Sequence, residues 1–395
     1  MSKIQFLNLG KQPITNNFLT EQNPINEFFY DLNIVYDENT KIVSLESFVL
    51  PEKMFNDTYA HMASMSITMR ESNKILSENI IKRFNPKSVL EIGSNDGIML
   101  ENFAKQGIKH LGVDPSANVV EEAIQHGVQS IVSFFGDESS ENIKVNYGTA
   151  DAIISANVMC HLPDLNDIAK GAFNLLNDKG VLIFEDPYLG SMLEKVSYDQ
   201  IYDEHVYIFS ALSTSKIFGS HGFELINLVP QETHGGSMRY VFAKKGQRQV
   251  EPQVQAIMDH ELLLRFDHSD TYSQFKENCE KSKIRLIQIL EDAKKAGKSV
   301  AGYGATSKST TILNYCGIGP DLIDFISDTT PIKQNKVTPG MHIPVQSYEY
   351  FKENIPDVII LFAWNHANEI IEKEKSSIDK SVEWVTHLPD FQLNL

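Results

Sequence analysis

The chain has 395 residues, 42% hydrophobic and 22% charged, the composition of a soluble globular protein too long for one ordinary core, so two or three domains are expected. A formal charge of -17 argues against nucleic acid as a partner, since that affinity comes mostly from Lys and Arg displacing counterions; a nucleotide-linked small substrate needs only a few local cations and stays allowed. The start has no signal-type apolar core and no run approaches the ~20 apolar residues of a membrane helix, so a cytoplasmic protein with no membrane partner is expected.

Residues 1 to about 75 are turn-rich and aromatic. Residues 9–19, with Gly10 and Pro13, read as turns; 28–36 alternate enough for a strand, and 42–45 form another. A segment with Tyr59 and His61 then leads into a helical pattern over roughly 66–84. This part reads either as a small cap over a pocket in the next domain or as an ordinary N-terminal sheet.

The run Ser88-Val89-Leu90-Glu91-Ile92 enters a turn bracketed by Gly93 and Gly97 and leaves on a helical pattern, which reads as strand, tight loop, helix. The glycines permit backbone angles that side chains resist, and the helix start offers unpaired N–H groups. The next strand ends in Asp114, a carboxylate suited to the hydroxyls of a ribose, followed by Pro115 and Ser116. Glu91-x-Gly93-x-x-x-Gly97 lacks the Gly-x-Gly-x-x-Gly spacing that brings a backbone against a pyrophosphate. The two pieces therefore look like the adenosine-methionine half of a class I S-adenosylmethionine methyltransferase, against a nucleotide site or a plain structural turn. Ser94, Asn95 and, further on, Asn157 join Glu91, Gly93, Gly97, Asp114, Pro115 and Ser116 as candidate cofactor contacts.

Strand signals follow at 128–132, 150–156 and 180–185, with 223–228 and 237–243 as a closing hairpin. Such alternation implies an α/β fold, a mostly parallel doubly wound sheet with helices on both faces and ligands at the carboxyl ends of the strands. Composition turns polar at 245–257, a linker, before a long helical pattern to Ala296. Residues 298–304 open a second strand-loop-helix unit, with buried strands at 322–328 and 357–364, so the last third is its own α/β domain. The expected domains are 1–75, 76–246 and 247–395.

The densest polar cluster is Tyr198 to Tyr207, after the fifth strand of the middle domain. His205 has the intrinsic pKa of a proton acceptor near neutrality, and Glu204 or Tyr202 could polarise a substrate or orient the ring; the alternative is a solvated loop with one satisfied histidine. His161, directly after the fourth strand, is either a substrate-facing group or a capping or core histidine. His234-Gly235-Gly236-Ser237-Met238-Arg239 is a hairpin turn with a solvated Arg239 or a phosphate contact. Residues 305–310, which include Lys308, bring hydroxyls, a cation and a helix N-terminus together as an anion site, without Walker spacing. Three widely separated cysteines, Cys160, Cys279 and Cys316, fit reduced thiols without metal-ligand spacing, so no metal is expected.

Nearly the whole chain, from about residue 7, resembles the sugar C-methyltransferases of bacterial deoxysugar pathways. The resemblance is carried by Leu9-Gly10-x-x-Pro13 with Asn17-Phe18, Glu91 to Gly97, Asn157 to Asp167, Tyr202-x-Glu204-His205, His234 to Arg239, Tyr303-Gly304-Ala305 with Lys308, Leu313 to Gly317, Pro339 to Pro344 and Trp364-Asn365. It implies a zinc-binding N-terminal domain, a methyltransferase core and a C-terminal Rossmann-like domain, with a nucleotide-linked keto-deoxysugar between the last two. The family's N-terminal zinc cysteines are absent, since no Cys precedes Cys160. The implied chemistry is removal of the proton on C-3 beside a 4-keto group, with His205 as base, and attack of the enolate carbon on the sulfonium methyl of S-adenosylmethionine, leaving S-adenosylhomocysteine. Glu204, Tyr202 and His161 would position the sugar, Tyr59 or His61 would enter from the N-terminal part, and His234, Gly236, Arg239, Tyr303 and Lys308 would contact the nucleotide sugar. O- or N-methylation of a sugar or natural product, and a non-catalytic sugar-nucleotide binding protein, are the competing readings; a monomer or small homo-oligomer is expected.

Overall fold

The structure is a computed structural model and describes residues 2–20, 27–49, 67–375, 378 and 381–388. Tyr59 and His61 lie outside the described residues. Among the described residues three β-sheets organise the chain.

The first is antiparallel. Strand β1 (Lys3–Pro13) pairs with β2 (Phe29–Asp37), which pairs with β3 (Val43–Leu45). Residues 9–13, expected as turns, are therefore strand. Gly10 (φ 77°) sits in a register shift between Asn8 and Lys11, and its N–H donates to the Asn8 side chain at 2.6 Å, so a residue that signals a turn is absorbed as a bulge. Helix α1 (Ile67–Phe84) then leads into the second sheet.

That sheet is built from β4 (Ser88–Ile92), β5 (Lys109–Asp114), β6 (Ser130–Val132), β7 (Ala150–Ala156) and β8 (Leu176–Pro187), all parallel. Helices α2 (Leu100–Ala104), α3 (Ala117–Gln125), α4 (Asp137–Tyr147) and α5 (Leu165–Leu175) alternate with the strands. After β8 come α6 (Leu189–Lys195), a short 3-10 turn at Tyr198–Gln200, strand β9 (Tyr207–Ile208) and α7 (Ala211–Gly219). The hairpin β10 (Phe223–Gln231) and β11 (Ser237–Lys244) closes the sheet, with β11 antiparallel between β8 and β10. The order β10-β11-β8-β7-β4-β5-β6, with that one reversed strand, is the class I methyltransferase arrangement. β9 does not join it but pairs with β3, so the first sheet takes its fourth strand from the chain just after the polar cluster.

Helix α8 (Pro252–Leu263) follows the polar stretch and packs back on β10 and α7. Its buried Glu261 accepts the N–H groups of Ala211 and Leu212 at 2.7 and 2.9 Å, capping α7 with a carboxylate where the helix dipole favours negative charge. The 27-residue α9 (Ser269–Lys295) leads to the third sheet, β12 (Val300–Tyr303), β13 (Phe325–Ser327), β14 (Lys336–Val337), β15 (Pro344–Gln346), β16 (Val358–Leu361) and β17 (Glu383–Val385), in the order β14-β15-β13-β12-β16-β17. Helices α10 (Ser307–Cys316), α11 (Tyr348–Glu353) and α12 (Ala367–Lys375) complete this lobe. All but β14 run parallel, and β12, β13 and β16 are buried throughout, as strands covered on both faces must be.

One apolar cluster runs from the first sheet (Phe6, Leu9, Tyr36) through Tyr198 and Ile201 to Tyr272, Leu286 and Ile312 of the C-terminal lobe, so the segment around residue 200 is packed between lobes. No helix among the described residues is long and apolar enough to cross a membrane.

The middle sheet's core centres on Phe184, fully buried, whose ring lies 4.8 Å from Tyr240, 5.3 Å from Phe218 and 5.6 Å from Phe209. Phe184→Ala should cost about 3–5 kcal/mol in urea unfolding, because the hole is walled by rigid rings on β11 and α7 that cannot collapse into it; a loss below about 1 kcal/mol would show that this cluster does not hold the sheet together.

Candidate active site

At the carboxyl end of β4 the chain turns at Gly93 (φ 69°), whose N–H donates to the Val113 carbonyl at 2.8 Å. A Cβ there would strike the Val158 side chain, so both the backbone angle and the neighbour require glycine. Asn95 (φ 48°) donates its N–H to Asp114 Oδ2 and Ser116 donates its N–H to Asp114 Oδ1, each at 2.9 Å. Asp114 thus ties the first loop to the start of α3, with Pro115 between it and the N-cap Ser116. Gly97 (φ 80°) closes the loop by donating to the Ser94 carbonyl at 2.9 Å.

Three acids converge here. Burial first, then the charges of Asp114 and Asp96, hold the Glu91 carboxyl well above the usual range. Burial also raises Asp114, against the two N–H groups it accepts. Glu91 Oε2, Ser94 Oγ and, across the sheet end, Asn157 Oδ1 are buried polar atoms with no hydrogen-bond partner. Asn157 (φ 57°) is held with its N–H on the Glu185 carbonyl at 2.7 Å. Orphaned acceptors at the carboxyl ends of β4 and β7 ask for a ligand bearing donors, which a nucleoside with ribose hydroxyls and an ammonium group satisfies. The residues therefore fit S-adenosylmethionine.

The polar cluster lies beside this cradle. His205 is buried, and its Nδ1–H donates to the Gln200 carbonyl at 2.6 Å, which leaves the Nε2 lone pair to accept from the Tyr202 hydroxyl at 2.7 Å. The His161 ring, on the 3-10 turn Met159–His161, stacks on it with centroids 5.3 Å apart. Burial foremost, then His161, with His234 and Lys308 adding, hold the His205 ring well below the ordinary histidine range against the Gln200 carbonyl, so it is neutral at pH 7. Glu204 accepts from the Asn16 side chain at 2.8 Å and Asp203 from the Thr15 hydroxyl at 2.6 Å, so the N-terminal segment reaches the site directly. Burial and the neighbouring Asp203 charge raise Glu204, with Asn16 and Lys333 opposing; burial also raises Asp203, against the Thr15 hydrogen bonds. Cys160, His161 and His205 place ligand-type atoms within 4.8 Å of one another. The two imidazoles are stacked, and both nitrogens of His205 are engaged by Tyr202 and the Gln200 carbonyl.

The remaining sequence candidates divide. His234 (φ 55°) lies on the 3-10 turn between β10 and β11, and its carbonyl accepts from the Gln200 side chain and from Lys308 Nζ at 3.4 Å. A side chain at Gly235 would strike Trp364 and one at Gly236 would strike Ser191, so this turn can nest against both lobes only as glycine. Lys308 is 4.9 Å from the Trp364 ring centre, and burial lowers its pKa against the attraction of Asp199. The hydroxyls around it are spent locally: Thr306 caps α10 by accepting the Ser309 N–H at 3.1 Å, and Thr310 and Thr311 donate to the carbonyls of Thr15 and Ile201. Arg239 is not solvated; Glu185 accepts from its Nε and Nη2 at 3.0 and 2.8 Å within the sheet. Tyr303 donates to the buried Glu374 at 2.8 Å and packs on Phe351, in a cluster separate from His205. Asp199, which the sequence marks only by the polar density of residues 198–207, is fully buried and accepts the Trp364 indole N–H at 2.6 Å.

Comparison with known proteins covers the chain in three parts. Residues 232–389 match a family model described as the C-methyltransferase C-terminal domain, residues 61–228 one described as a methyltransferase domain, and residues 1–55 one for a zinc-binding domain. Residues 1–55 contain neither cysteine nor histidine, so they do not fit a zinc ion. The C-methyltransferase NovU of Streptomyces niveus is 30% identical over 98% of this chain and 93% of its own length. A ubiquinone biosynthesis O-methyltransferase of Sodalis glossinidius is 26% identical over 25% of this chain and 40% of its own. Among solved structures, magnesium protoporphyrin IX methyltransferase from Synechocystis PCC 6803 with bound SAM covers 45% of this chain and 79% of that one, at 16% identity and a TM-score of 0.35. The near full-length relative, taken with the matching C-terminal model, shows that the chain belongs to the S-adenosylmethionine-dependent C-methyltransferase family.

Proposed function

We propose that this C-methyltransferase acts on C-3 of a nucleotide-linked 4-keto-deoxysugar, with His205 removing the proton that the neighbouring ketone acidifies. The observation that supports this reading most is the Tyr202–His205 pair: a buried, neutral imidazole whose tautomer is set by the Gln200 carbonyl and whose Nε2 lone pair is turned to a hydroxyl at 2.7 Å. Carbon is a poor nucleophile until its proton is removed, so a C-methyltransferase needs a base beside an acidified C–H, whereas O- or N-methylation needs no acidified C–H. When bound, S-adenosylmethionine supplies the electrophilic methyl group.

In this reading the sugar displaces the Tyr202 hydroxyl from His205 Nε2, and the carbon-bound proton passes to that nitrogen as the C–H electron pair becomes the enolate. A ring with a lowered pKa starts in the base form in nearly every molecule at pH 7 and readily gives the proton up afterwards. Glu204, whose raised pKa favours its protonated form, can donate to the developing enolate oxygen, a role water would fill less well in a buried site. Tyr202 and His161 flank the ring and orient the sugar. Glu91, Asn95, Asp114 and Asn157 hold the cofactor. Lys308 and the His234 turn, at the contact with the C-terminal lobe, meet the nucleotide's phosphates.

His205→Asn should lower turnover by about two to four decades while leaving S-adenosylhomocysteine affinity in place. In deuterium oxide the wild type should exchange the C-3 hydrogen of a 4-keto sugar nucleotide even without methyl transfer, followed by NMR; an enzyme that methylates without any such exchange, together with unaltered turnover in the variant, would remove His205 as the base. Asp114→Ala deletes an acceptor of two N–H groups and should weaken S-adenosylhomocysteine by about 10- to 100-fold in calorimetry, since hydrogen bonds to a charged group are worth ~1.5–3 kcal/mol; unchanged affinity would place the ribose elsewhere. Lys308→Ala should raise KM for the nucleotide sugar, read from initial rates, without raising that for S-adenosylmethionine, and an unchanged KM would take the phosphates away from this turn.

A further inference from the structure

The His205 ring is aimed by the backbone of Gln200, so whatever holds Gln200 sets the direction of the lone pair. Gln200 ends the 3-10 turn Tyr198–Gln200, and this turn hangs on the C-terminal lobe. Asp199 is fully buried; its Oδ2 accepts the Trp364 indole N–H at 2.6 Å and its Oδ1 lies 3.4 Å from His387 Nε2. Trp364 follows β16 and His387 follows β17, so both hands on this carboxylate come from the last strands of the third sheet. The neighbours of Asp199 are held by the same lobe. The Tyr198 ring meets the His387 ring edge-on at 5.4 Å, and Thr311 of α10 donates to the Ile201 carbonyl at 3.0 Å.

A fully buried carboxylate is a poor stabiliser, because desolvation consumes most of what its partners return. Burial would raise Asp199, yet His387, Lys308 and the Trp364 N–H outweigh it and hold the carboxyl below the usual range, so the ion persists. An ion kept at such cost between two lobes defines a geometry: it accepts from an indole on one side, lies against an imidazole on the other, and fixes the plane of the turn from which the Gln200 carbonyl projects. We propose that Asp199, clamped by Trp364 and His387, is the positioning residue for the base His205, so that the C-terminal lobe, besides any part in binding, directs the proton-accepting lone pair. This rests on the reading of His205 as the base.

The experiment pairs Asp199→Asn and Trp364→Phe, each alone and in a His205→Asn background, with kcat, the S-adenosylhomocysteine dissociation constant and 15N NMR of histidine-labelled enzyme. Trp364→Phe keeps an aromatic ring in place and removes the N–H without a change of charge, so it remains informative if the charge change at Asp199 prevents folding. Both single variants should lower kcat by about 10- to 100-fold, the scale of a misplacement near 1 Å, with cofactor affinity within about twofold and the His205 resonances shifted from the Nδ1–H pattern. Added to His205→Asn they should cost nothing more, since they act through that ring. His387→Gln, which keeps an N–H towards Asp199, should retain turnover that His387→Ala loses. A kcat within twofold of wild type, or losses that multiply with that of His205→Asn, would overturn the positioning role. If His205→Asn itself keeps full turnover the base is another group, and the NMR signature alone then decides whether Asp199 sets the ring, unshifted resonances refuting it.

Discussion

The hydrogen bond from His205 Nδ1–H to the Gln200 carbonyl is the interaction on which the rest of this structure depends. It spans five residues of one loop, and a loop that short cannot hold a ring against thermal motion by itself. The chain solves this by building the loop into all three sheets at once. Residue 200 ends a turn docked on the C-terminal lobe and precedes a strand, β9, that completes the N-terminal sheet, while the middle sheet supplies the helix that leads into it. A ring whose orientation is set from three directions spends no binding energy on being arranged when substrate arrives.

Electrostatics in the site follow from the same enclosure. Taking ionisable groups out of water favours their neutral forms, and that is the direction seen for His205, Glu204, Asp203 and Glu91, while Asp186 is pushed up to about 7, foremost by burial. A neutral imidazole beside Glu204, pushed up to about 7 by burial and the Asp203 charge, sets a proton acceptor next to a group that can donate a hydrogen bond. Asp199 is the exception, and it is the group with cations and an indole N–H arranged around it.

What could be read from the sequence, and what could not, divides by the distance over which each demand acts. The strand-loop-helix around Gly93 was legible because its needs are local: a left-handed glycine, an acid at the end of the next strand, apolar runs on either side. The closing hairpin and the second α/β lobe were legible for the same reason. Strand β1 was not, because Gly10 and Pro13 look like punctuation when the bulge that accommodates Gly10 is unseen. Nor was β9, two residues long and defined only by its pairing with β3. His205 stood out by type, but the partners that set the site lie far along the chain: Thr15 to Asp203 across 188 residues, Trp364 to Asp199 across 165. Arg239 and Tyr303 show the converse error, since a sequence displays a charge and a hydroxyl but not the Glu185 and Glu374 that already occupy them.

The N-terminal sheet carries the argument one step further. Without a zinc donor set, and with too few residues for a sufficient core of its own, it must borrow one. It borrows from α9: Tyr272, fully buried, stacks on Tyr36 at 4.4 Å and meets Phe6 at 5.0 Å, and its hydroxyl donates to the Phe266 carbonyl at 2.6 Å. The helix that supplies this core also carries Ser282, which donates to the His387 carbonyl at 2.6 Å. Ordering of the sheet and ordering of the turn at Tyr198–Gln200 are therefore linked. The helix that packs on β1 and β2 thus also holds the backbone of His387, whose ring lies beside Asp199, while Thr15 and Asn16 tie the segment after β1 to Asp203 and Glu204.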